Sequence, residues 1–211
     1  MDTFDLYKDI QCRTNGEIYL GVVGPVRSGK STFIKRFMDV LVLPKMTDEH
    51  AKERTVDELP QSASGKSIMT TEPKFVPKEA AEIQLAKDVS VLVRLIDCVG
   101  YMVEGAAGHM ENGAERLVKT PWNEKEIPFT KAAEIGTKKV IHDHSTIGIV
   151  VTTDGSIGEL PRNSYRVAEK KTIQELKSIG KPFVVLVNTR KPYSAEAKNV
   201  AEEIQKEYQV T

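Results

Sequence analysis

Residues 24–31 read GPVRSGKS, a G-x-x-x-x-G-K-[ST] pattern in which two glycines frame a turn that a lysine and a serine close. Residue types at that spacing suit a polyphosphate. The glycines let backbone N–H groups converge on phosphate oxygens, and a helix starting at the lysine adds the positive end of its dipole. Lys30 would reach the outer two phosphates, and Ser31 would ligate Mg²⁺. Gly24, Pro25, Val26, Arg27, Ser28, Gly29, Lys30, Ser31 and Thr32 therefore form the candidate nucleotide cradle. A second stretch, ASGKS at 63–67, repeats only the tail of the pattern. Pro60 stands where its first glycine belongs and no apolar strand precedes it, so it reads as surface loop.

A phosphate loop needs a carboxylate near the metal, at the end of a neighbouring strand. VRLIDCVG (93–100) supplies one: Asp97 ends an apolar run, and Asp97-x-x-Gly100 has the spacing by which an Asp holds Mg²⁺ through water while a glycine N–H senses the last phosphate. SIMTTEPKF (67–75) offers Thr70 and Thr71 just ahead of a strand expected beside that one. Either threonine could complete the Mg²⁺ shell, and spacing does not choose between them. Tyr101 occupies the position where many GTPases carry a water-orienting glutamine. Slow intrinsic hydrolysis, or completion of the site by a group from elsewhere, is the expectation.

Residues 183–191, FVVLVNTRK, place Asn188 at the end of an apolar strand and Lys191 three positions on. P-loop GTPases end this strand in N-K-x-D, and the aspartate accepts hydrogen bonds from guanine. Lysine has three donors and no acceptor. Guanine's donors would stay unpaired at about 1–3 kcal/mol per buried group. The substitution argues against strong guanine preference and favours ATP, whose exocyclic amine a backbone carbonyl could accept.

These groups require a scaffold of alternating strands and helices. IYLGVV (18–23) reads as a buried strand, followed by a helix from Lys30 to about Val42. Residues 44–72 are polar and poorly periodic, and read as a long loop. A strand pair at 74–85 and 89–97 turns at Lys87-Asp88, too tightly for a crossover, so one edge strand should be antiparallel. Six glycines and prolines make 100–128 look like a long functional or mobile loop. A helix at 129–144, a strand at 147–153, a helix at 163–179, a strand at 183–188 and a helix at 194–207 complete the series. The prediction is a three-layer α/β, P-loop NTPase (GTPase-like) fold: a mostly parallel sheet with helices on both faces. Residues 1–16 would be a helical extension and 17–211 the nucleotide domain, cut before further domains.

Charge and composition narrow the classes. Thirty basic and thirty acidic residues cancel, so no basic field points to nucleic acid. No apolar run approaches the roughly 18–20 residues of a spanning helix. The acidic start MDTFDLYKDI is wrong for a secretory signal, and Cys12 and Cys98 form no disulfide or zinc pattern. A soluble cytoplasmic protein is expected. His142 and His144, flanking Asp143, read as solvated helix-end residues, and Trp122 reads as a packing anchor.

The stretches GVVGPVRSGKSTFIKRFM, DELPQSASGKSIMTTEPKFVP, DCVGY, TPWNEKEIPFTKAAEIGTKKVI and HSTIGIVVTTDGSIGELPR together resemble the N-terminal nucleotide-binding region of the stage IV sporulation protein A family. The likeness covers nearly the whole chain. It implies a GTPase-like fold that uses ATP, with Lys30 as the loop lysine, Asp97 as the metal-associated acid, and Thr70 and Thr71 as sensor threonines. It further implies ATP-driven polymerisation into the basement layer of the spore coat, in the mother-cell cytoplasm at the outer forespore membrane. The expected partners are further copies of itself, a small amphipathic membrane peptide and other coat morphogenetic proteins. Two alternatives stay open from the residues alone: a regulatory GTPase switch, and a structural module that binds nucleotide without hydrolysing it.

Overall fold

The computed structural model describes residues 16–46, 48–60, 72–86, 89–111 and 113–210. Strand β1 (Glu17–Val23) leads through the glycine loop into α1 (Lys30–Phe37), which continues as a wide π-helical turn over Met38–Val42 and a short 3₁₀ turn over Leu43–Lys45. α2 (Glu49–Glu58) precedes a long hairpin of β2 (Lys74–Ala86) and β3 (Val89–Asp97). Two small antiparallel ribbons follow, β4 (Met110–Glu111) with β5 (Ala114–Glu115), and β6 (Leu117–Thr120) with β7 (Asn123–Pro128). α3 (Phe129–Lys139), β8 (Ile147–Thr153), α4 (Arg162–Ser178), β9 (Phe183–Asn188) and α5 (Ala195–Tyr208) complete the chain.

The central sheet runs β2-β3-β1-β8-β9. β1 pairs in parallel with both β3 and β8, and β8 with β9, whereas β2 lies antiparallel to β3 at the edge. The mostly parallel sheet with one antiparallel edge strand is thus the arrangement expected. Period-2 alternation explains the layers. Val22, Leu95 and Val151 turn to one face, where they pack with Ile34, Met38 and Val42 of the α1 region. Their neighbours Val23, Ile96 and Val150 turn to the other, against Ile141, Ile173, Leu176 and Ile204 from the later helices. Ile34, Met38 and Val42 are fully buried, and burial of such a side chain contributes about 1.5–3 kcal/mol.

Two sequence expectations need correction. Residues 44–72 are not loop throughout, because α2 occupies 49–58. Its hydrophobic pattern is weak, but Asp48 caps it, accepting from the backbone of His50 at 2.9 Å and Ala51 at 3.2 Å. Thr55 is its one buried residue, and Glu58 accepts the Lys78 amide of β2 at 2.7 Å. Residues 100–128 likewise hold two ribbons rather than unstructured chain; the second, β6–β7, rests on α3. The helical extension expected over 1–16 lies outside the described residues apart from Gly16. No helix among the described residues is long and apolar enough to cross a membrane.

Candidate functional site

In open parallel sheets, ligands bind beyond the carboxyl ends of the strands, where strand order reverses. Here β1 is flanked by β3 on one side and β8 on the other, so the loops leaving β1, β3 and β9 crowd the same end.

The glycine loop is tied to the exit of β3 by backbone contacts. Val26 N–H donates to Tyr101 O at 2.8 Å, and Tyr101 N–H to Gly24 O at 3.3 Å. The approach is too close for any side chain at residue 100. Gly100 has φ +93°, and a Cβ there would stand 2.1 Å from Gly24 O and 2.6 Å from Lys30 Nζ. Pro25, Val26 and Ser28 are buried, so their part in a cradle falls to the backbone, while Thr32 is exposed. Arg27 takes a left-handed φ of 60°, and its guanidinium donates to Ala107 O at 3.1 Å.

Lys30, only 5% exposed, donates its ammonium to Pro25 O at 2.6 Å, with Gly24 O at 3.5 Å. Burial pushes its pKa down, opposed by the nearby Cys98 and Asp97. Burial likewise pushes the Asp97 carboxyl up, against the Ser31 hydroxyl bond and the charge of Lys30. Both groups are thus held in a dry setting that favours their neutral forms and that opposite charge from a ligand would offset.

Ser31 Oγ donates to Asp97 Oδ2 at 2.8 Å, while Asp97 Oδ1 is buried with no partner among the described residues. A hard cation fits this pair. Mg²⁺ takes oxygen ligands, typically one or two carboxylates completed by phosphates and water. The described residues contain no group of three or more His, Cys, Asp or Glu side chains able to hold a metal. Substrate and solvent could supply further ligands. Thr70 and Thr71, the other candidates for that shell, lie outside the described residues.

Tyr101 does not face this end. It is 3% exposed in the core, with its hydroxyl buried and without a partner among the described residues, and Lys171 Nζ sits 4.6 Å above its ring. Burial, with smaller effects of Glu175 and Glu134, pushes the phenol well above its ordinary range.

The strand β9 meets the glycine loop directly. Asn188 Nδ2 donates to Ser28 O at 3.1 Å, and Gly29, at φ +95°, lies so close that a Cβ would fall 2.2 Å from that nitrogen. The residues beyond Asn188 are gathered by a feature that sequence reading missed. Asp154, leaving β8, accepts from Ser156 N at 2.9 Å, Ser156 Oγ at 2.6 Å and Thr189 Oγ1 at 2.5 Å. The Asp154-Gly155 turn dipeptide with Ser156 two positions on was a legible hint of the local part. Its reach to Thr189 was not. Lys191, which replaces the guanine-reading aspartate, is exposed.

The other expected candidates take structural roles. His142 Nε2 pairs with Glu175 at 2.7 Å, His144 packs edge-on against Phe75, and Lys139 lies over the Trp122 ring.

A phosphate-type loop between strand and helix, its lysine and serine, and an aspartate ending the adjacent parallel strand define a P-loop NTPase-like protein. The match to known sequences is finer. The chain belongs to the family described as stage IV sporulation protein A, ATPase domain, whose model matches residues 1–211. It is 57% identical over 206 residues to the stage IV sporulation protein A of Clostridioides difficile (strain 630), covering 98% of this chain and 42% of that protein. It is 52% identical over 210 residues to the proteins of that name from Bacillus anthracis and Bacillus subtilis (strain 168), covering 100% of this chain and 43% of each. The chain thus spans less than half the length of these relatives.

Proposed function

We propose that this domain is a Mg²⁺-dependent ATPase, a phosphoanhydride hydrolase whose turnover drives self-assembly of the spore coat basement layer. The observation that carries the chemistry is the Ser31–Asp97 contact at 2.8 Å, with the second Asp97 oxygen buried and without a partner among the described residues. Lys30 and the amides of residues 24–31 would stabilise charge on the β- and γ-phosphates. Ser31 and Asp97 would hold Mg²⁺, which would supply charge neutralisation to the bound phosphates. The Gly100 amide, Thr70 or Thr71 would register the γ-phosphate. The inward turn of Tyr101 supports slow intrinsic hydrolysis, with the water-orienting group supplied from elsewhere, a second copy included.

ATP over GTP rests on Lys191, which cannot accept from guanine. The assembly role rests on the family: its relatives are sporulation proteins more than twice as long, and a scaffold at the forespore surface in the mother cell is the setting we infer. Self-association and recruitment by a small amphipathic membrane peptide would then involve chain beyond this domain.

Phosphate release from Mg-ATP and Mg-GTP, measured across a range of protein concentrations, separates the readings. Faster release from ATP, rising per molecule with concentration, is expected. Higher GTP affinity and turnover would favour a regulatory GTPase instead, and binding without release would leave a structural module.

A further inference from the structure

The turn that follows β9 has no carboxylate at the place where guanine is read, yet it is tightly organised. Its organiser is Asp154. Oδ1 takes the Ser156 hydroxyl at 2.6 Å and Oδ2 takes the Thr189 hydroxyl at 2.5 Å. Each hydroxyl has given its one proton to the carboxylate and can only accept from its other neighbours. Ser156 Oγ accepts the Arg190 amide at 3.0 Å, and Thr189 Oγ1 accepts the Lys191 amide at 3.1 Å. Two successive backbone N–H groups are thereby turned toward Asp154. Across trans peptides the carbonyls of Thr189 and Arg190 point the opposite way. One residue earlier, Asn188 is fastened to the glycine loop through Ser28 O at 3.1 Å, so this turn stands beside the cradle.

Adenine and guanine differ at ring position 6, an amine donor in one and an oxo acceptor in the other. A fixed carbonyl facing that position pairs with adenine and opposes guanine. We propose that Asp154 is a positioning residue for base choice: through Ser156 and Thr189 it holds the 188–191 turn so that a backbone carbonyl, rather than a side-chain carboxylate, reads the purine. This rests on the nucleotide-site reading above, but not on hydrolysis.

The variants Asp154→Asn, Thr189→Val and Thr189→Ser, with wild type, are tested on the full chain by titration calorimetry. The ligands are Mg-ATP, Mg-GTP and Mg-tripolyphosphate, the last probing the phosphate side alone. Asp154→Asn keeps one acceptor but puts an amine toward Thr189; Thr189→Val keeps shape and removes the hydroxyl. Each is expected to weaken ATP binding roughly tenfold, the scale of a lost hydrogen bond to a charged group, while GTP changes less and tripolyphosphate stays within about twofold. Thr189→Ser should restore the wild-type ATP-to-GTP ratio, a rescue that simple loss of structure would not give. If Asp154→Asn fails to fold, Thr189→Val decides. An unchanged ATP-to-GTP ratio in either folded variant overturns the proposal, as does equal weakening of all three ligands. Wild type that binds ATP without hydrolysing it would sink the ATPase reading and leave this one standing; wild type that prefers GTP, or binds neither nucleotide, sinks both.

Discussion

Gly29→Ala tests how the phosphate and base sides of the site are joined. A Cβ at residue 29 would sit 2.2 Å from Asn188 Nδ2, well inside contact distance, and φ there is +95°. A non-glycine residue in left-handed backbone costs about 1–2 kcal/mol. Displacing Asn188 also forfeits its 3.1 Å bond to Ser28 O, worth about 0.5–1.5 kcal/mol net. The sum, about 1.5–3.5 kcal/mol, corresponds to roughly ten- to three-hundred-fold if expressed wholly in nucleotide binding. Any share expressed in folding lowers the melting temperature by about 2–4 °C per kcal/mol for a domain of this size. Calorimetric titration with Mg-ATP and a thermal melt on the same sample measure both shares. Asn188→Ala alone removes only the hydrogen bond and should weaken binding by less than about tenfold. Because it also removes the atom that the new Cβ meets, the double variant should lose less than the sum of the two single losses. A Gly29→Ala protein with wild-type affinity and melting temperature would refute the reasoning, and strict additivity would refute the contact as its cause.

Arg162→Ala should destabilise the fold by about 3–5 kcal/mol, because Glu169, 1% exposed and held by Arg162 at 2.6 and 2.8 Å, would be left a buried uncompensated charge; denaturant unfolding measures it, and a loss under 1 kcal/mol would count against the pairing. Tyr101→Phe removes a hydroxyl that is buried without a partner among the described residues, so stability should hold or rise and ATP turnover should stay within about twofold; a collapse of turnover would give that hydroxyl a part in the chemistry. At Asp154, burial alone would raise the carboxyl pKa, but the Ser156 and Thr189 bonds outweigh it and hold it below the ordinary aspartate range. A depressed folded pKa stabilises above the unfolded value and is lost as pH falls through the folded one. The melting-temperature gap between wild type and Asp154→Asn should therefore be constant above about pH 5 and close under strongly acid conditions; a gap that widened on acidification would reverse the sign.

What could be read from sequence followed from periodicity and local spacing. The strands 147–153 and 183–188 carry continuous apolar runs between turn residues, and the structure reproduces them residue for residue. The short separation between the apolar runs 74–85 and 89–97 already implied antiparallel β2. The glycine loop and Asp97 were legible because their partners lie in fixed motifs. The helix at 49–58 was not, since only Thr55 is buried and its polar surface hides the 3.6-residue period. The Asp154–Thr189 contact escaped for another reason: it joins residues 35 apart, just past the ends of adjacent strands, and neither belongs to a known spacing. Tyr101 was located by its place after Gly100, but only packing revealed that its ring enters the core.

The central claim, that the lysine-bearing loop and Asp97 hydrolyse ATP, is tested most directly by phosphate release from Mg-ATP with wild type beside Lys30→Ala. Lys30 is buried against its own loop and is the cation assigned to the β- and γ-phosphates. Wild type should release phosphate measurably, and the variant should lose about two orders of magnitude or more, the scale for removing one preorganised electrostatic group. Equal release by the two proteins would contradict it.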